Sequence, residues 1–125
     1  MDSIADNLRA DMECEDVLPC LYGLTETDVR VFEILAKQGD GMEIDTIAEI
    51  VERDRGTVFR SLKRLRKHGF VSKEQVNYES GGYYHVYHVR NSEAIVREMQ
   101  ESLNQVYANA DRLVGQFREK YSTEG

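Results

Sequence analysis

Apolar residues recur at intervals of three and four from residue 25 to residue 68, and again from 92 to 121. Between these stretches the period shortens to that of strands. The first helix starts at Thr25, a good N-cap, with Asp28 placed to complete a capping box and Leu24 and Val29 at the staple positions. Val29, Phe32, Leu35 and Ala36 form its apolar stripe, and Gly39 and Gly41 end it. A shorter helix reads through Ile44, Ile47, Ala48 and Val51. After the turn Glu52-Arg53-Asp54, Asp54 caps a third helix running to His68, with Val58, Leu62 and Leu65 inward and Gly69 as the stop. Phe70–Tyr78 and Tyr83–Val89 are two strands joined at the turn Ser80-Gly81-Gly82, because five of the seven residues from 83 to 89 are Tyr or Val. Asn91 or Ser92 then caps a helix that continues to about Tyr121. Ahead of all this, Ile4, Leu8 and Met12 suit a short amphipathic helix, interrupted by Pro19.

The last helix carries Val96, Met99, Leu103, Val106, Ala110, Leu113 and Phe117, an unbroken alternation of threes and fours over about three heptads. Thirty helical residues span about 45 Å, more than so small a body can cover. The seam therefore calls for a second copy, with the first turns lying on the domain and the rest pairing, Ala110 allowing close approach.

At 125 residues the chain is one ordinary domain. No apolar run approaches the roughly 20 residues of a membrane span, and the acidic start Met1-Asp2-Ser3-Ile4-Ala5-Asp6 is no signal peptide. A cytoplasmic protein without membrane partners is expected. The net charge of −7 argues at first against nucleic acid. Its distribution reverses that reading. Residues 1–50 carry 3 basic and 13 acidic side chains, residues 51–69 carry 7 and 2, and residues 70–125 carry 6 and 8. One short segment is strongly positive on an acidic body, the footprint of a polyanion-binding face.

Three helices followed by a Gly-tipped hairpin is the order of a winged helix–turn–helix. The fold expected is mainly α with a small β-hairpin: an acidic N-terminal segment (1–20), a winged DNA-binding domain (21–90), a long dimerisation helix (91–121) and a tail (122–125). An α-helix fits the major groove of double-stranded DNA, and the first half of the recognition helix meets base edges. Arg55, Thr57 and Arg60 are the candidates for base readout. Lys63, Arg64 and Lys67 suit phosphate contacts, with Arg53 and Ser61 beside them. Gly56 in the first turn lets the backbone approach a phosphate. In the wing, Lys73 flanks a tip, Gly81 and Gly82, that has no basic residue and so suits sugar–phosphate contact. A plain solvated basic helix face is the bland alternative. Acidic residues near phosphates would place cations at the DNA interface and flatten the salt dependence of binding.

The runs Leu24-Thr25-Glu26-Thr27-Asp28-Val29, Ile47-Ala48-Glu49-Ile50-Val51, Gly56-Thr57-Val58-Phe59-Arg60-Ser61-Leu62-Lys63-Arg64-Leu65 and His68-Gly69-Phe70-Val71 resemble archaeal winged-helix transcription regulators of the TrmB and PadR-like type. The resemblance covers about residues 21–90. It implies a homodimer on a pseudo-palindromic operator. The acidic remainder resembles small haloarchaeal members that answer oxidative stress. Larger TrmB proteins add a sugar-binding domain, for which this chain is too short, so no sugar effector is expected.

Cys14 and Cys20 match neither a redox Cys-x-x-Cys pair nor a zinc site. Cys14 sits among acidic residues that disfavour its thiolate, so Cys20 is the better candidate for a redox sensor, the alternative being one buried and one incidental thiol. His85 and His88, three apart on a strand, point to opposite faces and share no metal. No catalytic triad or phosphate loop is present, so neither an enzyme nor a cofactor is expected. The rival function is a winged helix that binds protein within a transcription complex.

Overall fold

The computed structural model describes residues 17–122. The elements run α1 (Val17–Tyr22), α2 (Glu26–Gln38), α3 (Ile44–Val51), α4 (Arg55–Lys67), β1 (Val71–Asn77), β2 (Tyr83–Val89) and α5 (Ser92–Tyr121). The fold is a winged helix–turn–helix with a long C-terminal helix. Ile4, Leu8, Met12 and Cys14 lie outside the described residues, as does the side chain of Cys20.

Helix α2 begins as its sequence dictates. The Asp28 N–H donates to Thr25 Oγ1 and the Thr25 N–H donates to Asp28 Oδ2, both at 3.1 Å, a complete capping box. Its buried face differs from the expected stripe. Val31 and Leu35 are buried, Val29 and Phe32 are half-buried, and Ala36 is exposed. The fully buried residue one turn before Val31 is Asp28, a carboxylate in the apolar stripe, which masked the true phase. Pro19 also differs from expectation. It does not interrupt a helix but occupies the first turn of α1, where a missing N–H costs little. Helix α1 crosses the boundary drawn between residues 20 and 21, and Leu18 and Leu21 are buried.

Helices α3 and α4 bury the faces their spacing predicts: Ile44, Ile47 and Val51 from one, Val58, Leu62 and Leu65 from the other. Phe70 follows the Gly69 turn into the core and meets Tyr22 and Phe32 edge-on, at ring separations of 5.0 and 5.8 Å. The hairpin pairs antiparallel from Val71↔Val89 to Asn77↔Tyr83. It is fixed to the body by a bridge not legible in the sequence. The Met42 N–H donates to the Tyr87 carbonyl at 3.0 Å, and the Tyr87 N–H returns the bond at 2.8 Å. The loop between α2 and α3 thus acts as a short third strand and sets the angle of the hairpin.

Candidate nucleic-acid interface

Helix α4 is started by Asp54. Its carboxylate accepts from the Thr57 N–H at 3.1 Å and from the Thr57 hydroxyl at 2.6 Å. These bonds hold the Asp54 carboxyl below its ordinary pKa. Arg60 Nη2 donates to Thr57 Oγ1 at 3.3 Å. Thr57 therefore serves the cap first, and Arg60 is laid against it. Opposite the buried Val58, Leu62 and Leu65, the residues Gly56, Arg60, Lys63 and Lys67 recur at four, three and four. They form the outward stripe of the helix. Arg60, Lys63 and Lys67 are exposed, as are Arg53, Arg55 and Arg66. Arg55 forms an ion pair through Nη1 with Asp45 on α3, which leaves its Nε and Nη2 donors open to a ligand.

Of the sequence-predicted set, Ser61 is turned inward, and Arg64, half-exposed beside Arg60, Lys63 and Lys67, is paired with α2. Ser61 is fully buried. Arg64 donates from Nε and Nη2 to the two carboxylate oxygens of Asp28, each at 2.8 Å. Burial by itself would raise the Asp28 pKa, but the hydrogen bonds from Arg64, Ser61 and the Thr25 backbone outweigh it and hold the carboxyl below its usual value. The same pairing raises the pKa of Arg64. The pair ties α4 to α2, and neither Ser61 nor Arg64 lies on the outward stripe.

Sequence reasoning passed over Phe59. This phenyl is 46% exposed on the basic helix. It shares a cleft of about 340 Å³ with Arg55, Lys73, Tyr83 and His85, between α4, the hairpin and the start of α3, where Glu43 and Asp45 also line it. A half-exposed aromatic among cations was the available signal. The hairpin tip is built by Gly81 and Gly82, with φ of +99° and +85°, values that favour glycine. Tyr78 and Tyr84 pack ring to ring at 4.8 Å behind it, and Tyr83 is exposed. His85 and His88 do not meet a common partner: His88 Nε2 lies 3.0 Å from Glu74 Oε1, while His85 packs on Tyr83. Among the described residues no cluster of metal-ligating side chains occurs.

Helix α5 docks by its first turns. Ile95 is buried in the core and Met99 packs against it. Val96, on the expected seam, is exposed instead, because Ile95 takes the docking position. Leu103 and Val106 are half-buried, while Ala110, Leu113 and Phe117 are exposed. Tyr107, Val114 and Tyr121 form a further exposed row seven residues apart, which the heptad seam did not include. The apolar face is thus three rows wide, broader than a two-stranded seam.

Residues 18–93 match the family described as sugar-specific transcriptional regulator TrmB. The chain belongs to the TrmB family. It is similar to two uncharacterised proteins of Methanocaldococcus jannaschii. One is 34% identical over 105 residues, covering 84% of this chain and 86% of that protein. The other is 40% identical over 73 residues, covering 58% of this chain and 54%, about half, of that protein's length. Among solved structures, a "possible transcriptional regulator" from Methanosarcina mazei superposes with a TM-score of 0.67 at 28% identity, covering 94% of this chain and 99% of that one. The ST1889 protein of Sulfolobus tokodaii shares the fold, with a TM-score of 0.60 at 21% identity, covering 80% of this chain and 93% of that one. This TrmB-family chain is thus a transcription regulator of the winged-helix type, and no described helix is long and apolar enough to cross a membrane.

Proposed function

We propose that the protein is a homodimer that binds a pseudo-palindromic double-stranded DNA operator, with α4 in the major groove. The observation that carries this reading is the outward stripe of α4, where Arg60, Lys63 and Lys67 stand exposed on an otherwise acidic chain. Arg60 and Arg55 are the base-reading candidates, since a guanidinium can bridge guanine O6 and N7, and Phe59 is suited to a thymine methyl group. Lys63, Lys67 and Arg53 neutralise phosphates, and Gly56 lets the strand approach the start of the helix. Lys73, Gly81 and Gly82 bring the wing to the sugar–phosphate backbone. Ser61 and Arg64 act through the Asp28 pair. Cations sit at the interface beside Asp45 and Asp54, which flank Arg55 and Thr57.

The second copy docks on α5 through Leu103, Val106, Ala110, Leu113 and Phe117, with Val96 and Met99 nearer the body. The exposed row Tyr107, Val114 and Tyr121 widens that surface. A two-fold dimer places its α4 helices about 34 Å apart, in successive major grooves on one face of the duplex. The test is a mobility shift with genomic promoter fragments. Binding that survives non-specific competitor and is weakened in Arg60→Ala is expected. Absence of binding at any salt concentration favours a protein-binding winged helix instead. Repeating the shift under oxidant, with Cys20→Ser beside the native chain, tests the oxidative-stress response.

A further inference from the structure

The strand that returns from the wing leads into Arg90, whose guanidinium joins separate parts of the fold. Nη1 donates to the Gly69 carbonyl at 2.7 Å, in the turn that ends α4. Nη1 and Nη2 also donate to the two carboxylate oxygens of Glu98 on α5, each at 3.1 Å. The Arg90 backbone N–H donates to the Phe70 carbonyl at 3.0 Å. Gly69 has φ of +81°, a conformation that favours glycine, and a Cβ there would come within 2.9 Å of Nη1.

Helix α5 is otherwise held lightly. Ile95 is its buried core residue and Met99 its partly buried neighbour. Among the described residues, Arg90–Glu98 is the one salt bridge that reaches α5. The direction in which the long helix leaves the body therefore rests on two apolar side chains, the Asn91 cap and one guanidinium. A bidentate guanidinium resists rotation about its partner in a way that a single ammonium does not.

We propose that Arg90 is a positioning residue that fixes the angle between α4 and α5 and so sets the half-site spacing the protein accepts. The inference rests on the homodimer reading. In such a dimer the two α5 helices meet about the two-fold axis. The separation of the two α4 helices then follows from the angle between α4 and α5 within each protomer. Inserting one base pair shifts a half-site by about 3.4 Å and turns it by about 35°. A stiff dimer cannot follow that change, and a loosened one can.

The test uses the full chain, its Arg90→Ala, Arg90→Lys and Glu98→Gln variants, and the best duplex selected by the native chain from a random-sequence library. That duplex is remade with the half-site spacing changed by one base pair either way, and a single half-site duplex is included. The native dimer is expected to lose about tenfold or more in affinity at either altered spacing. Arg90→Ala and Arg90→Lys flatten this to within about threefold while binding the single half-site as the native chain does, and Glu98→Gln falls between. Sedimentation checks that each variant is folded and dimeric. A folded, dimeric Arg90→Ala with the native spacing profile overturns the inference and leaves the homodimer reading intact. A native chain that sediments as a monomer, or selects no duplex, overturns both.

Discussion

Removing the Arg64 guanidinium is the sharpest perturbation of the fold beneath the interface. In Arg64→Ala the Asp28 carboxylate, fully buried in the native chain, keeps its bonds from the Thr25 N–H and Ser61 but is deprived of both bonds from the guanidinium. Breaking a buried ion pair from one side costs about 3–5 kcal/mol. The Arg64 side chain is 43% exposed, so water reaches part of the gap and the cost falls to about 2–3 kcal/mol. With a urea dependence of about 1.5 kcal/mol per molar, the unfolding midpoint should drop by about 1.3–2 M at pH 7. Removing the stranded charge as well should help, so Asp28→Ala/Arg64→Ala should be more stable than Arg64→Ala alone. The pH dependence has a definite sign. In the native chain the Asp28 pKa lies below its unfolded value, so the pair stabilises above that unfolded value and the benefit fades as pH falls through the folded one. In Arg64→Ala the buried carboxylate lacks its cation and protonates more readily, so the cost of the mutation should shrink between pH 7 and pH 4. Urea unfolding followed by circular dichroism at one fixed protein concentration measures all three quantities, the concentration being held because association adds to stability. A midpoint for Arg64→Ala within about 0.3 M of native at pH 7, or a cost unchanged at pH 4, would show that the guanidinium does not neutralise a buried charge.

On DNA, Arg60→Ala should cost about 1–3 kcal/mol and relax base preference at one position of each half-site, read by fluorescence anisotropy on substituted duplexes. Lys67→Ala should weaken all sequences alike and lower the slope of log affinity against log salt by about 0.9 for each phosphate left without its cation, and an unchanged slope would remove Lys67 from the phosphate set. Phe59→Ala should weaken binding to a thymine-containing site yet bind its uracil-substituted copy with no further weakening, and equal weakening on both duplexes would show that the phenyl reads no methyl group. Leu113→Asp with Phe117→Asp should leave the winged body folded and sediment as a monomer, and a surviving dimer would place the interface elsewhere.

The elements were legible wherever local chemistry decided them. Thr25 with Asp28, Asp54 and Gly69 marked helix ends through bonds made within one turn, and the alternation of Tyr and Val marked the second strand. What escaped the sequence depended on pairings between distant residues. Asp28 occupies an apolar position because Arg64, 36 residues away, neutralises it, so the spacing of apolar residues alone did not give the phase of α2. The pinning of the hairpin at Met42 had no signature, because a single bridge needs no strand pattern. Ile95 and Val96 both fit a helical stripe, and only the position of the body decides which one docks. The outward stripe of α4 was readable because charge and period coincide there. Phe59 was missed because α4 was sorted into an apolar inward face and a charged outward one, and an exposed phenyl fits neither.

Whether the chain reads DNA as a symmetric dimer is decided by selecting binding sites with the native protein from a random-sequence duplex library. Enrichment of an inverted repeat is expected, with half-site centres about one helical turn apart, roughly ten base pairs. A pool that stays random after repeated selection, or one that converges on a single asymmetric element, would contradict a two-fold dimer with α4 in successive major grooves.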